Sequence, residues 1–198
     1  MNPFELIGKT ILITGASSGI GRETAIQCSN MGANVIVVGR NEERLSECFS
    51  HLKGDSNIQI ISDLTKQEEI EHLIINIPNV DGIVLCAGSK KSAPLFSATR
   101  IRFDEVFNIN FFAPIELLRL LILRGKLKPN SSVVFISSVG GNHSFLPNGI
   151  IYGTSKAAIE SAMRFCASEL APYDIRVNSV TPAKVHPKLI TTTDSTID

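Results

Sequence analysis

Tyr152 and Lys156 stand four residues apart in the stretch Ile-Tyr-Gly-Thr-Ser-Lys, a spacing that puts both side chains on one face of a helix. A phenol has a pKa of ~10 in water, too high to ionise readily at neutral pH. An ammonium held about 4 Å away, at an effective dielectric near 20, stabilises the phenolate by ~4 kcal/mol, or about three pKa units. The pair is therefore an acid/base candidate. The same spacing also arises by chance, with the tyrosine packed and the lysine solvated, so it needs partners. Ser137 and Ser138, at the end of the apolar run just upstream, offer hydroxyls that could hydrogen-bond an oxygen on which charge develops. Asn110 is a poor interior helix residue and invites two readings. It could satisfy the backbone near Pro114, or it could serve the same chemistry.

These groups need a platform, and the chain supplies one early. The β-branched run Thr10, Ile11, Ile13, Thr14 reads as a buried strand, and Gly15, Gly19 and Gly21 let the backbone turn into a helix starting near Ile20. A helix N-terminus carries unpaired N–H groups and about half a positive charge, so an anion placed there is stabilised. Glycine lets a pyrophosphate approach the backbone and permits positive φ. A tight turn with no ligand would use the same glycines, so the turn too needs support from the rest of the chain.

With Thr14 in front, the Gly-x-x-x-Gly-x-Gly spacing resembles the cofactor loop of the short-chain dehydrogenase/reductase family, whose pattern is Thr-Gly-x-x-x-Gly-x-Gly, and within it the 3-oxoacyl-ACP-reductase-like members. The Tyr-x-x-x-Lys pair and the serine ahead of it are the second match. The resemblance implies a single NAD(P)-binding Rossmann domain over residues 1–198. It places the dinucleotide against Gly15, Ser17, Ser18, Gly19, Ile20 and Gly21, then Asp63 and Leu64 at the adenine, Ala87 and Gly88, the ribose at Tyr152 and Lys156, and Pro182 and Val185. It further implies carbonyl/alcohol redox chemistry on a small-molecule substrate. Tyr152 would move the proton, Ser138 would hold the substrate oxygen, Lys156 would tune the tyrosine, and Asn110 would organise a water that passes protons to Lys156. Ser138 is preferred over Ser137 because the family serine stands directly before a hydrophobic-Gly turn.

The rest of the chain alternates strand and helix. Residues 33–39 form a second strand, and Arg40 follows Gly39 where an acid would hold a ribose 2′-hydroxyl; an arginine there favours NADP(H) over NAD(H). Alternatively Arg40 is a solvated residue ahead of a helix capped by Asn41. A helix at about 42–53 leads to a third strand, 58–61, and Asp63 could instead be a helix-initiating residue. Further strands are expected at 80–85, 132–137 and about 175–180, with a long helix from about Arg102 to Gly125, a polar flexible stretch at 141–149, and a helix from 152 to about 171. Pro114 should kink the long helix. Six strands alternating with helices argue for a doubly wound parallel sheet with ligands at the carboxyl ends of its strands.

Composition narrows the partners. Nineteen basic and nineteen acidic side chains give zero net charge, so neither nucleic acid nor an anionic membrane is favoured. The four cysteines, Cys28, Cys48, Cys86 and Cys166, are widely spaced with no zinc pattern; no metal site is expected, and they read as reduced thiols of a cytoplasmic protein. No signal peptide or membrane span is predicted.

Departures from the family pattern set the competing reading. Leu85 and Cys86 stand where the family has two asparagines, Ala183 replaces a glycine and Pro187 a threonine. The family typically continues with a substrate-covering segment and a last strand; either this protein is truncated or the sequence omits that segment, and a real truncation would leave a sheet edge unpaired. These features favour a non-catalytic dinucleotide sensor or scaffold; the retained Asn110, Ser138, Tyr152 and Lys156 favour an enzyme. Apolar residues on the helices at 102–124 and 152–171 (Phe111, Phe112, Leu117, Leu121, Ile159, Met163, Phe165) predict a homodimer or homotetramer. The loops at 89–99 and 141–150 are expected to line the substrate pocket.

Overall fold

Valine- and isoleucine-rich runs without polar alternation make strands buried on both faces, as a parallel sheet between helices requires. The computed structural model describes residues 4–185, and it has six such strands: β1 (Thr10–Thr14), β2 (Asn34–Gly39), β3 (Ile58–Ile61), β4 (Val80–Leu85), β5 (Leu127–Ile136) and β6 (Arg176–Val180). All pair in parallel, in the order β3-β2-β1-β4-β5-β6. The order reverses between β1 and β4, which opens a crevice at their carboxyl ends. Helices α1 (Gly19–Asn30), α2 (Glu42–Phe49), α3 (Gln67–Ile75), α4 (Arg100–Phe107), α5 (Ala113–Leu123), α6 (Val139–Asn142) and α7 (Ile150–Leu170) complete the described chain, with three shorter helical turns. Because successive strand residues point to opposite faces, Ile11 and Ile13 join Val35, Val37 and Leu45 on one side, while Leu12 joins Ile36, Leu117, Leu121 and Ile159 on the other. This is the doubly wound arrangement expected.

Several boundaries move. The helix expected at 42–53 ends at Phe49. Strand β5 starts at Leu127 rather than 132, with the register against β4 shifting between Val80 and Gly82. Asn130, at φ 62, lies in this irregular start. The long helix is three pieces: α4 passes into a π turn at Asn108–Phe112, where the Ala113 N–H reaches back five residues to the Asn108 carbonyl, and then into α5. Pro114 supplies the cause, since it has no N–H to give the Asn110 carbonyl four residues before it. The whole run Arg100–Leu123 is long and apolar enough to cross a membrane, but half of the stretch that passes that test is buried in the protein, as a core helix would be.

Of the stretch from Gly141 to Gly149 expected to be polar and flexible, only Gly141 and Asn142 are helical, as the end of α6. Backbone contact explains it: a Cβ on Gly141 would stand 2.9 Å from the Ala157 nitrogen, and one on Gly153 2.6 Å from the Gly140 carbonyl oxygen. Glycine thus lets α6 press directly onto α7. The apolar surplus on the α4–α5 and α7 helices is also smaller than composition suggested, because Leu117, Leu121 and Ile159 are core residues while Phe112 and Phe165 are exposed.

Candidate active site

The crevice is a cleft of about 820 Å³, floored by the loops that follow β1, β2, β4 and β5. At its β1 end the cleft is lined by a tightly packed glycine turn. Gly15, at φ 67, would place a Cβ 2.8 Å from both the nitrogen and the Cα of Ala87, and a Cβ on Gly21 would stand 2.4 Å from the Gly15 carbonyl oxygen. Ser18, the residue that caps α1, makes no side-chain cap hydrogen bond, so its hydroxyl does not block the first N–H groups of the helix. Ser17, Ser18, Gly19 and Ile20 border the cleft, whereas Gly21 supports it from beneath. A cradle that any side chain would fill, at an uncapped helix start, fits a pyrophosphate.

The site also uses a residue whose work was not read from the sequence. The Thr14 hydroxyl accepts hydrogen bonds from the Cys86 and Ala87 N–H groups, at 3.0 and 3.1 Å, and donates to the Val84 carbonyl at 3.4 Å. It ties the β1 loop to the β4 loop without the asparagine side chains that Leu85 and Cys86 replace. Burial pushes the Cys86 thiol up, against the Lys156 charge and a hydrogen bond from the Gly21 N–H.

At the end of β2, Gly39 is closely packed: a Cβ there would come 3.3 Å from both Ser17 Cβ and Leu45 Cδ1. Arg40, Asn41 and Arg44 continue that wall. Arg40 faces Asp63 at 4.0 Å. Asp63 also accepts from the Thr65 N–H and hydroxyl at 3.1 and 2.8 Å. Burial would raise its carboxyl, but those Thr65 hydrogen bonds, with the Arg40 and Lys66 charges, hold it below its ordinary value. The side chain is thus engaged locally, in the turn ahead of α3, whose cap position is Lys66 rather than Asp63. Ser62 and Leu64, rather than Asp63, border the cleft.

The chemical end is assembled from three elements. Ser137 is buried, and its hydroxyl donates to the Lys156 carbonyl at 3.2 Å and to Glu160 at 3.3 Å. Ser138 caps α6, accepting from the Gly140 N–H at 3.2 Å. Gly140 brings it to the tyrosine: a Cβ there would lie 3.5 Å from Ser138 Oγ and 4.0 Å from Tyr152 Cε1. Lys156 is buried, its Nζ donates to the Ile136 carbonyl at 2.7 Å, and it stands 5.9 Å from the Tyr152 ring centroid. Burial pulls its ammonium below the usual lysine value, with Cys86 opposing.

Asn110, in the π turn, holds these pieces together. Its Oδ1 accepts from the Ser89 N–H at 2.8 Å, and its Nδ2 donates to the Ser89 carbonyl at 3.0 Å and to Ser155 Oγ at 2.9 Å. The amide is therefore not spent on the backbone near Pro114. Ala87, Gly88, Ser138, Tyr152, Lys156, Pro182 and Val185 all border the same cleft, as do Ser89 and Lys90 from the loop expected at 89–99 and Ile109, which nothing in its local spacing marks; residues 141–150, expected beside them, do not. Pro187 lies outside the described residues, as does the polar tail to Asp198. Among the described residues no group of three or more His, Cys, Asp or Glu could hold a metal ion.

The family model for short chain dehydrogenase matches residues 9–197. The chain belongs to the short-chain dehydrogenase family. Among its relatives, L-xylulose reductase of Mesocricetus auratus is 31% identical over 182 residues, covering 91% of this chain and 73% of its own. The Rickettsia bellii 3-oxoacyl-[acyl-carrier-protein] reductase FabG is 35% identical over 178 residues, covering 90% and 73%. A dehydrogenase/reductase from Sinorhizobium meliloti superposes with a TM-score of 0.84 at 31% identity, over 93% of this chain and 75% of that one. The Pseudomonas aeruginosa RhlG/NADP active-site complex gives a TM-score of 0.84 at 27% identity, over 95% and 77%. This short-chain dehydrogenase is accordingly an oxidoreductase of a family that binds a nicotinamide dinucleotide.

Proposed function

We propose that this short-chain dehydrogenase interconverts a carbonyl and a secondary alcohol with NADP(H), using Ser138, Tyr152, Lys156 and Asn110. The observation that carries the reading is the convergence of Ser138 and Tyr152 on Gly140, with the buried Lys156 ammonium beside the tyrosine ring. When bound, the reduced nicotinamide supplies hydride to the carbonyl carbon. Tyr152 donates its proton to the carbonyl oxygen, so the C=O bond becomes C–H and O–H. Ser138 Oγ hydrogen-bonds that oxygen as its charge grows. Lys156 stabilises the phenolate left on Tyr152 and reaches the nicotinamide ribose hydroxyls.

Asn110 acts by position. Its side chain fixes Ser89 and Ser155, while its carbonyl, denied an N–H by Pro114, is the natural acceptor for a water that returns the proton towards Lys156. Gly15 to Ile20 hold the pyrophosphate, Leu64 the adenine, and Pro182 and Val185 the nicotinamide side. The NADP(H) preference rests on Arg40 in place of an acid after β2. The exposed Phe112, Leu123 and Phe165 support assembly as a homodimer or homotetramer, and four unpaired cysteines support a reducing, cytoplasmic setting.

The test is NADPH oxidation with a panel of ketones, followed by nicotinamide absorbance, with Tyr152→Phe beside the native enzyme. Ketone-dependent oxidation lost in the variant supports the reading. Tight NADPH binding with no turnover on any ketone favours the sensor or scaffold.

A further inference from the structure

Two guanidinium groups, not one, border the cleft at the end of β2. Arg40 follows the strand, and Arg44 lies one turn on, in α2. Their surroundings differ. Arg40 faces the Asp63 carboxylate at 4.0 Å, so an acid stands beside this guanidinium. Arg44 has no carboxylate partner among the described residues, and only its backbone N–H is engaged, by Asn41 Oδ1 at 2.8 Å. That cap fixes the start of α2 and so fixes where Arg44 leaves the helix. The neighbouring acids do not compete for it inside the cleft: Glu42 and Glu43 do not border it, and Glu47 holds Arg22 at 2.8 Å.

A 2′-phosphate carries up to two negative charges, while the 2′-hydroxyl of NAD(H) carries none. A single exposed arginine that also faces Asp63 leaves part of such a dianion unmatched. An unpaired guanidinium with five donors completes the match. Resting on the NADP(H) reading above, we infer that Arg44 is a second 2′-phosphate-binding residue and that it, as well as Arg40, sets the preference for NADP(H) over NAD(H). Ser17 and Asn41 form the remaining wall of that subsite.

The experiment is equilibrium binding of NADPH and of NADH, by nicotinamide fluorescence, to the native protein, Arg44→Gln, Arg44→Lys and Arg40→Gln. Arg44 is exposed, its side chain makes no hydrogen bond or ion pair among the described residues, and glutamine is a comparable helix former, so the variant should fold; an unchanged thermal midpoint verifies it. The expected result is an NADPH affinity about 10- to 100-fold lower in Arg44→Gln, with NADH changed by less than about twofold, and partial recovery in Arg44→Lys. The native discrimination should also weaken as salt is raised. If the native protein prefers NADPH but Arg44→Gln keeps that preference while Arg40→Gln loses it, the role of Arg44 is overturned and the NADP(H) reading stands. If the native protein binds both nucleotides equally, the NADP(H) reading falls and the inference falls with it.

Discussion

Asn110 Nδ2 and Ser155 Oγ lie 2.9 Å apart in the buried seam between the π turn and α7. Ser155 sits between Tyr152 and Lys156, and it in turn donates to the Tyr152 carbonyl at 2.7 Å. Through Ser155, the asparagine is coupled to the helix that carries both titratable groups.

Asn110→Ala should therefore act on stability and turnover together. It strands the Ser89 N–H and carbonyl, and leaves a buried hydroxyl without its donor, a loss of about 1–3 kcal/mol. Denaturant unfolding measures the first effect. The second should appear as a lower kcat with KM for the dinucleotide less changed, because Asn110 makes no hydrogen bond to the turn from Gly15 to Ile20.

The two serines should separate cleanly. Ser138→Ala removes the proposed donor to the substrate oxygen and should lower kcat by about 100-fold or more, as losing one oxyanion donor typically does. Ser137→Ala instead removes hydrogen bonds to Glu160 and the Lys156 carbonyl. It should cost about 1 kcal/mol of stability and change kcat much less. Steady-state kinetics beside thermal melts distinguish them, and equal kinetic damage from both would contradict the assignment.

Glycine positions offer an internal control. Gly15→Ala combines a positive φ of 67 with a Cβ 2.8 Å from the Ala87 backbone, on which no flexible side chain can yield. It should abolish dinucleotide binding and destabilise the fold. Gly54 has φ 84 but nothing within 4 Å of an added Cβ, so Gly54→Ala should cost only about 1–2 kcal/mol and leave binding intact. Calorimetric titration of both variants with NADPH makes the comparison.

The same contrasts separate what is legible in the sequence from what is not. The cofactor turn and the Tyr152–Lys156 pair are legible because their meaning is local: glycines a few residues apart, and two side chains one helical turn apart. The roles of Thr14, α6 and the π turn are not, because each depends on a partner distant in sequence. Thr14 acts on Cys86 and Ala87, Gly141 on Ala157, and Asn110 on Ser89 and Ser155. The two serines are adjacent in sequence and both border the cleft, and what separates them, the bonds of Ser137 to Glu160 and to the Lys156 carbonyl, is made to a distant helix. Asp63 is ambiguous for a related reason, since an acid that caps a turn and an acid that touches a ligand have the same local signature.

Lys156 predicts a pH dependence with a definite sign. Burial lowers its folded-state pKa below the 10.5 of an ordinary lysine. Between the two values the unfolded chain binds more protons than the native one, so this group's contribution to stability rises with pH across that window. Below both values the buried ammonium is a constant cost. Lys156→Met should lose activity, and its stability relative to the native protein should decline as pH rises through the alkaline range. The opposite trend in paired melts would contradict a buried, cationic Lys156.

The proposed chemistry is probed at its centre by a single-turnover reaction of NADPH-loaded enzyme with a ketone substrate, comparing native protein with Tyr152→Phe. Proton donation by Tyr152 requires similar NADPH affinity in the two proteins and hydride transfer slowed by at least about 100-fold in the variant, the scale of a lost general acid. Equal transfer rates in the two would contradict it.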